Sequence, residues 1–171
     1  MQLDNHSKRI SVLQYILIMM AVLLFACEQQ QPVAVPPAHT LTREASGYYC
    51  LMTVVNHSGP KGQILLTDNP QPLWFTSVRD TIAFTRSPEE PKNIAAIYVN
   101  DMSDADWDNP GVDNWIDAHS AWYVIGSKKS GGMGAPEAVP FATQQQADLF
   151  IAAHGGASYS FDDIPQSFIQ E

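Results

Sequence analysis

Apolar residues in the middle and end of the chain fall into short runs bounded by turn clusters, a spacing that predicts strands more often than helices. Tyr48-Tyr49-Cys50-Leu51-Met52-Thr53-Val54-Val55 is aromatic and β-branched and ends at the turn cluster His57-Ser58-Gly59-Pro60, so it predicts a first strand. Gln63 to Thr67 predicts a second. Asp68-Asn69-Pro70-Gln71-Pro72 carries turn and helix-start signals. Leu73, Phe75, Val78, Ile82 and Phe84 follow at mixed spacing that predicts a helix through about Arg86, ended by Ser87-Pro88-Glu89-Glu90-Pro91. Ile94 to Val99 predicts the next strand, and the stretch from Asn100 to Asp113 an acidic, turn-rich loop. Two short strands are expected between Trp115 and Ile125, the second from Ala121. A glycine-rich loop, Gly126 to Gly134, then leads to a strand over Ala138 to Phe141. Thr143 is placed to cap a last helix, with Ala147, Phe150, Ile151 and His154 at three-and-four spacing and Gly155-Gly156 as its stop. Strand-strand-helix thus occurs twice, over Tyr48 to Arg86 and Ala121 to His154, with little residue identity between the halves. The expectation is an α+β fold of two small consecutive ββα units, about 45–90 and 91–165 within a domain over 45–171.

The start of the chain follows another pattern. Lys8 and Arg9 precede an uninterrupted apolar run from Tyr15 to Ala26 that ends at Cys27. The run has signal-peptide length, about 7–15 residues, and falls short of the roughly 18 that a spanning helix needs. Leu24-Phe25-Ala26-Cys27 resembles a bacterial lipobox, with Phe25 in place of the usual small or hydroxylated residue. The expectation is a signal peptide over 1–26, lipidation at Cys27, and a flexible tether over 27–44, since the segment from Gln29 to His39 is polar and proline-rich. An ordinary secretory signal or an uncleaved anchor is the alternative.

Composition narrows the function classes. What remains after leader and tether, about 130 residues, is one domain's worth. The 171-residue chain carries a net charge of −9, and the leader, with Lys8, Arg9 and Asp4, contributes only positive balance, so the exported part is the more acidic. That argues against nucleic acid and against direct docking on anionic headgroups. It suits a cationic ligand, a basic partner surface, or plain solubility.

With Cys27 spent on lipid, the second of the two cysteines, Cys50, stands alone in a compartment that oxidises stray thiols. Cys50 and Met52 lie two apart on a predicted strand and so on one face. Thiolate and thioether form a soft pair that selects Cu(I) and is too poor in sulfur for a closed zinc site. The same spacing also suits a small buried hydrophobe beside a gap-filling methionine. Met133 stands in Gly131-Gly132-Met133-Gly134, where little local core exists to hide it, so it is either a ligand or a cover over a strand edge. His57, just past the first predicted strand, is the best placed imidazole. His154 ends a helix and suits capping, His119 precedes a strand, and His39 and His6 fall in tether and leader.

Enzymatic constellations are poor. Cys50 with His57 or His154 as base and Asp162 or Asp163 as orienter follows no motif. The chain also lacks C-x-x-C, a phosphate-cradling loop and a paired Gly-x-Gly fingerprint. Asp101, Asp104, Asp106 and Asp108 with Asn109 and Gly111 lack the spaced terminal Glu of a calcium loop and read as a solvated acidic loop.

Tyr49-Cys50-Leu51-Met52 followed by His57-Ser58-Gly59-Pro60-Lys61-Gly62-Gln63 resembles the signature of the NosL family, accessory lipoproteins of nitrous oxide reductase maturation. Gly126-Ser127, Gly132-Met133-Gly134, Val139-Pro140-Phe141-Ala142 and the terminal His154-Gly155-Gly156 extend the match in order over nearly all of the exported domain. The family has Cys-Gly-Met at the first motif, whereas this chain has Leu51 between the sulfurs. The resemblance implies a non-enzymatic, periplasmic, lipid-anchored copper chaperone. It would bind one Cu(I) and hand it to the copper-sulfide centre of nitrous oxide reductase through a membrane transporter complex. Glu28 after the lipidated cysteine, by the same likeness, gives no signal for inner-membrane retention, so the outer membrane is expected. The resemblance further implies two ββα units similar to the organomercurial lyase's domain. The expected ligand set is Cys50 as anchor and Met133 closing from the glycine loop, with Met52 or His57 as a third contact. A lipid-anchored scaffold or binding subunit with an inert, buried Cys50 is the alternative.

Overall fold

A computed structural model describes residues 34–170, so the leader and Cys27 lie outside the described residues. Gly62–Leu66 forms β1, almost entirely buried, as a central strand requires. The Thr67-Asp68 turn reverses it into β2, Asn69–Phe75, with Leu66 opposite Asn69 and Gly62 opposite Phe75. Ser77 then caps α1, Val78–Arg86, its hydroxyl accepting from Asp80 N at 3.3 Å. β3, Ile94–Asn100, returns antiparallel along the free side of β1, and β4, Trp115–Asp117, completes a sheet of order β2-β1-β3-β4.

The second half repeats the plan. β5, Trp122–Ile125, pairs with β6, Val139–Phe141; α2, Gln144–His154, follows; and β7, Ala157–Ser160, returns antiparallel on the free side of β5. The order is β6-β5-β7. Each half is thus a hairpin, a helix and a returning strand, the two ββα units completed by β3 and β7. Thr143 caps α2 by accepting from Gln146 N at 3.3 Å, and Gly155, at φ 75°, stops it. A short helix α3, Gln166–Gln170, follows.

Three expectations are corrected. Tyr48 to Val55 is not a strand: Tyr48, Tyr49 and Cys50 form a turn, and Val54–Asn56 a single 3-10 turn that buries Val54 against Leu41 and Ala45. Strand propensity loses here because both tyrosine rings lie against Phe75, at 5.9 and 5.7 Å, instead of alternating between faces. The helix expected to take in Leu73 and Phe75 begins only at Val78, and both residues belong to β2. Pro70 and Pro72 are tolerated because β2 is an edge strand, where a missing donor leaves no ladder bond unmade. The helix ending at His154 is not the last element. β7 is half polar and short, and only its pairing to β5 makes it a strand.

One apolar core joins the halves: Ile64, Phe75, Ile82, Phe84 and Val99 from the first meet Tyr123, Ala138, Phe161, Ile164 and Phe168 from the second. Arg86 reinforces the junction by donating to the carbonyls of Ile164 and Phe161 at 2.6 and 2.8 Å. The proline-rich stretch is fastened at Pro36, whose carbonyl accepts from Tyr98, and at His39, whose backbone exchanges two hydrogen bonds with the Gln63 amide.

Candidate metal centre

Ser46 and Thr53 form an isolated antiparallel bridge, and within it Gly47 N donates to Met52 O at 2.9 Å and Leu51 N to Gly47 O at 2.8 Å. This closed turn carries both Cys50 and Met52. It is docked by Tyr48 N on Trp74 O at 2.7 Å, and by the Tyr48 and Tyr49 hydroxyls, which both donate to Glu90, each at 3.0 Å. That contact raises the Tyr48 hydroxyl above the ordinary tyrosine range, and burial, with the same contact adding to it, raises that of Tyr49. The two sulfurs therefore share a turn, not a strand face. Cys50 is half-buried, with Sγ 3.7 Å from Thr76 Oγ1, while Met52 is exposed. A Cβ at Gly47 would lie 2.6 Å from that Sγ, so the thiol occupies space that only glycine leaves open.

Leu51 is the one non-glycine residue with positive φ among the described residues, at 57°, and it is 79% exposed. Cys-Gly-Met would meet this backbone without strain. Leu51 meets it at a cost and sets an apolar side chain in solvent beside the thiol.

Met133 sits on a small hairpin closed by Gly131 N on Ala135 O at 2.9 Å and Gly134 N on Gly131 O at 2.8 Å, with Gly134 at φ 80°. Met133 is exposed. The hairpin lies against the His57 turn: a Cβ at Gly132 would come within 2.7 Å of both His57 Cβ and Ser58 O. His57 and the Met133 hairpin are thus neighbours, as are Cys50 and Thr76.

The other described histidines are used elsewhere. His119 packs on Phe161 at 4.4 Å and His154 on Phe150 at 4.6 Å. In the acidic loop, Asp101 accepts from Ser103 N and Ala142 N, and Asp106 from Asp108 N and Asn109 N, so these carboxylates cap turns. Among the described residues no three His, Cys, Asp or Glu side chains converge. The Cys50 turn offers a metal the sulfurs of Cys50 and Met52, and the hairpin carrying Met133 offers a third sulfur beside the His57 turn.

Sequence reasoning passed over two buried charges beside these elements. Lys61 is 2% exposed and donates Nζ to Ser58 O at 3.2 Å and to Gly59 O, holding the turn that follows His57. Burial lowers its ammonium to about 8 against the pull of Glu137. Glu137 is 1% exposed, and burial pushes its carboxyl up to about 8 against its backbone donors. The available signal was a charge set between apolar neighbours in Ala135-Pro136-Glu137-Ala138-Val139. Trp107 completes the surround, accepting from Gly59 N at 2.6 Å and carrying Lys129 Nζ 4.8 Å from its ring centroid.

The NosL family model matches residues 37–169. The copper-binding lipoprotein NosL of Achromobacter cycloclastes is 45% identical over 160 residues, 92% of this chain and 82% of that protein. The copper-binding lipoprotein NosL of Stutzerimonas stutzeri is 35% identical over 124 residues, 72% of this chain and 64% of that protein. Among solved structures, the crystal structure of the copper chaperone NosL from Shewanella denitrificans is similar with a TM-score of 0.67 and 32% identity, over 81% of this chain and 98% of that one.

Proposed function

From the premise that the chain belongs to the NosL family, we propose that it is a non-enzymatic, lipid-anchored periplasmic chaperone for Cu(I) that supplies the copper-sulfide centre of nitrous oxide reductase. The relatives' names carry copper and lipidation. What supports the oxidation state is the donor set: a thiol and a thioether on one turn and a second thioether on an exposed hairpin, with no cluster of three His, Cys, Asp or Glu side chains among the described residues. Such soft, sparse ligation suits Cu(I), which accepts two or three ligands and exchanges them.

Cys50 as thiolate anchors the ion. Met133 closes on it from the hairpin, and Met52 or His57 makes the third contact. An exposed rim lets an acceptor approach the ion, so transfer proceeds by stepwise ligand replacement as the Met133 hairpin gives way. A copper thiolate also resists the oxidation that consumes a bare exported thiol. Cys27 provides the lipid anchor, Glu28 after it gives no signal for inner-membrane retention so that the anchor lies in the outer membrane, and the acceptors are the maturation transporter complex and, through it, the reductase.

The test is genetic and analytical. A host lacking the gene is expected to accumulate nitrous oxide and to yield reductase short of copper, with rescue by the wild-type chain and not by Cys50→Ser. Rescue by Cys50→Ser at wild-type level would overturn the reading.

A further inference from the structure

We infer that Glu137, outside the expected ligand set, is the positioning residue of the metal site: it fastens the Met133 hairpin of the second half to the start of α1 beside Cys50. Its Oε1 accepts from Ala138 N at 2.9 Å, Arg79 N at 3.0 Å and Ser77 Oγ at 3.4 Å, so a residue entering β6 caps the helix of the other half. Ser77 follows Thr76, whose hydroxyl touches the Cys50 sulfur. Oε2 points the other way. It is the buried side-chain polar atom without a partner among the described residues, and a Cβ at Gly131 would lie 2.6 Å from it. The Gly131 backbone is thus seated on the carboxyl, with Gly132 against the His57 turn and Met133 at the tip.

The choice of residue needs this explanation. Three donors account for Oε1, but a buried carboxyl with its other oxygen unmatched destabilises a fold, so Oε2 is the atom that needs a role. With its proton held to about pH 8, Glu137 acts near neutrality as a shaped hydrogen-bonding group more than as a charge. A site whose ligands come from a turn of one half and a hairpin of the other gains from such a tie, because the placement of Met133 relative to Cys50 sets the copper geometry.

The inference rests on Met133 being a ligand, so its test separates the two. The full chain is titrated anaerobically with Cu(I) against a competing chelator as wild type, Met133→Ala, Glu137→Gln, Glu137→Ala, Gly131→Ala and the Glu137→Ala/Met133→Ala double variant, with X-ray absorption counting sulfur neighbours. Glu137→Ala and Gly131→Ala are each expected to weaken binding about tenfold or more, with no further loss in the double variant beyond Met133→Ala alone. Both should lower the sulfur count by one, whereas Glu137→Gln, which keeps the accepting oxygen, stays within about threefold of wild type with its sulfur count intact. Gly131→Ala keeps the Glu137 carboxyl and crowds its Oε2, so it reads the contact even if Glu137→Ala fails to fold. Wild-type affinity in Gly131→Ala, or additive losses in the double variant, would overturn the inference alone. Wild-type binding by Met133→Ala would overturn it together with the ligand assignment.

Discussion

Cys50 owes its position to the residue three before it. Gly47 leaves the space its sulfur fills, and its backbone N–H, which most residues could supply, closes the turn on Met52 O, so the missing side chain matters for seating the thiol. Gly47→Ala is expected to displace Cys50 and weaken Cu(I) binding at least about tenfold while changing stability by about 1 kcal/mol. Chelator competition and thermal melts on the same sample check it, and unchanged affinity would refute the assigned seat. The candidate ligands were legible in the sequence because sulfur is rare in an exported acidic chain and methionine is out of place among glycines. Thr76, Gly47, Lys61 and Glu137 were not, because their roles depend on contacts such as Ser77 to Glu137, 60 positions apart.

At the level of elements, the capped helices and the apolar strands could be read directly: Thr143 and Gly155 bound α2 where the pattern put its ends, and β1, β3, β5 and β6 lie where apolar runs predict them. The strand lost at Tyr48 to Val55 and those gained at β2 and β7 share one cause. Local propensity does not report whether a neighbouring strand offers an edge, and β2 and β7 exist through pairing to β1 and β5. Beyond pairing, α1 is joined to the chain end by Arg86 through two carbonyls. Arg86→Met removes both bonds and keeps most of the bulk, and it is expected to destabilise the fold by about 1–3 kcal/mol in urea denaturation. A midpoint unchanged from wild type would mean that the C-terminal segment is held by its apolar contacts alone.

For the whole molecule, the buried Glu137 and Lys61 give stability a pH dependence of known sign. The carboxyl titrates at about 8 in the fold against 4.5 in an unfolded chain, so the folded state binds the extra proton between these values and stability falls as pH rises from about 4.5 to 8. Near pH 7 the loss from this group is on the order of 3 kcal/mol. Lys61, lowered from 10.5 to about 8, costs stability below 8 and gives it back as pH rises toward 10.5, so the two together set a minimum near pH 8. Glu137→Gln is expected to flatten the acid limb in denaturant titrations between pH 5 and 8, and an unchanged slope would show that the carboxyl ionises freely. The fold thus keeps two buried ionisable groups near the elements that carry the candidate sulfur ligands, and the proposed metal site is the function that would account for them. Anaerobic Cu(I) titration against a competing chelator, with wild type, Cys50→Ser and Met133→Ala side by side, tests that most directly. Tight one-to-one binding weakened by both substitutions is the predicted result, and a wild-type chain that fails to compete, or a Cys50→Ser chain that competes equally well, would contradict it.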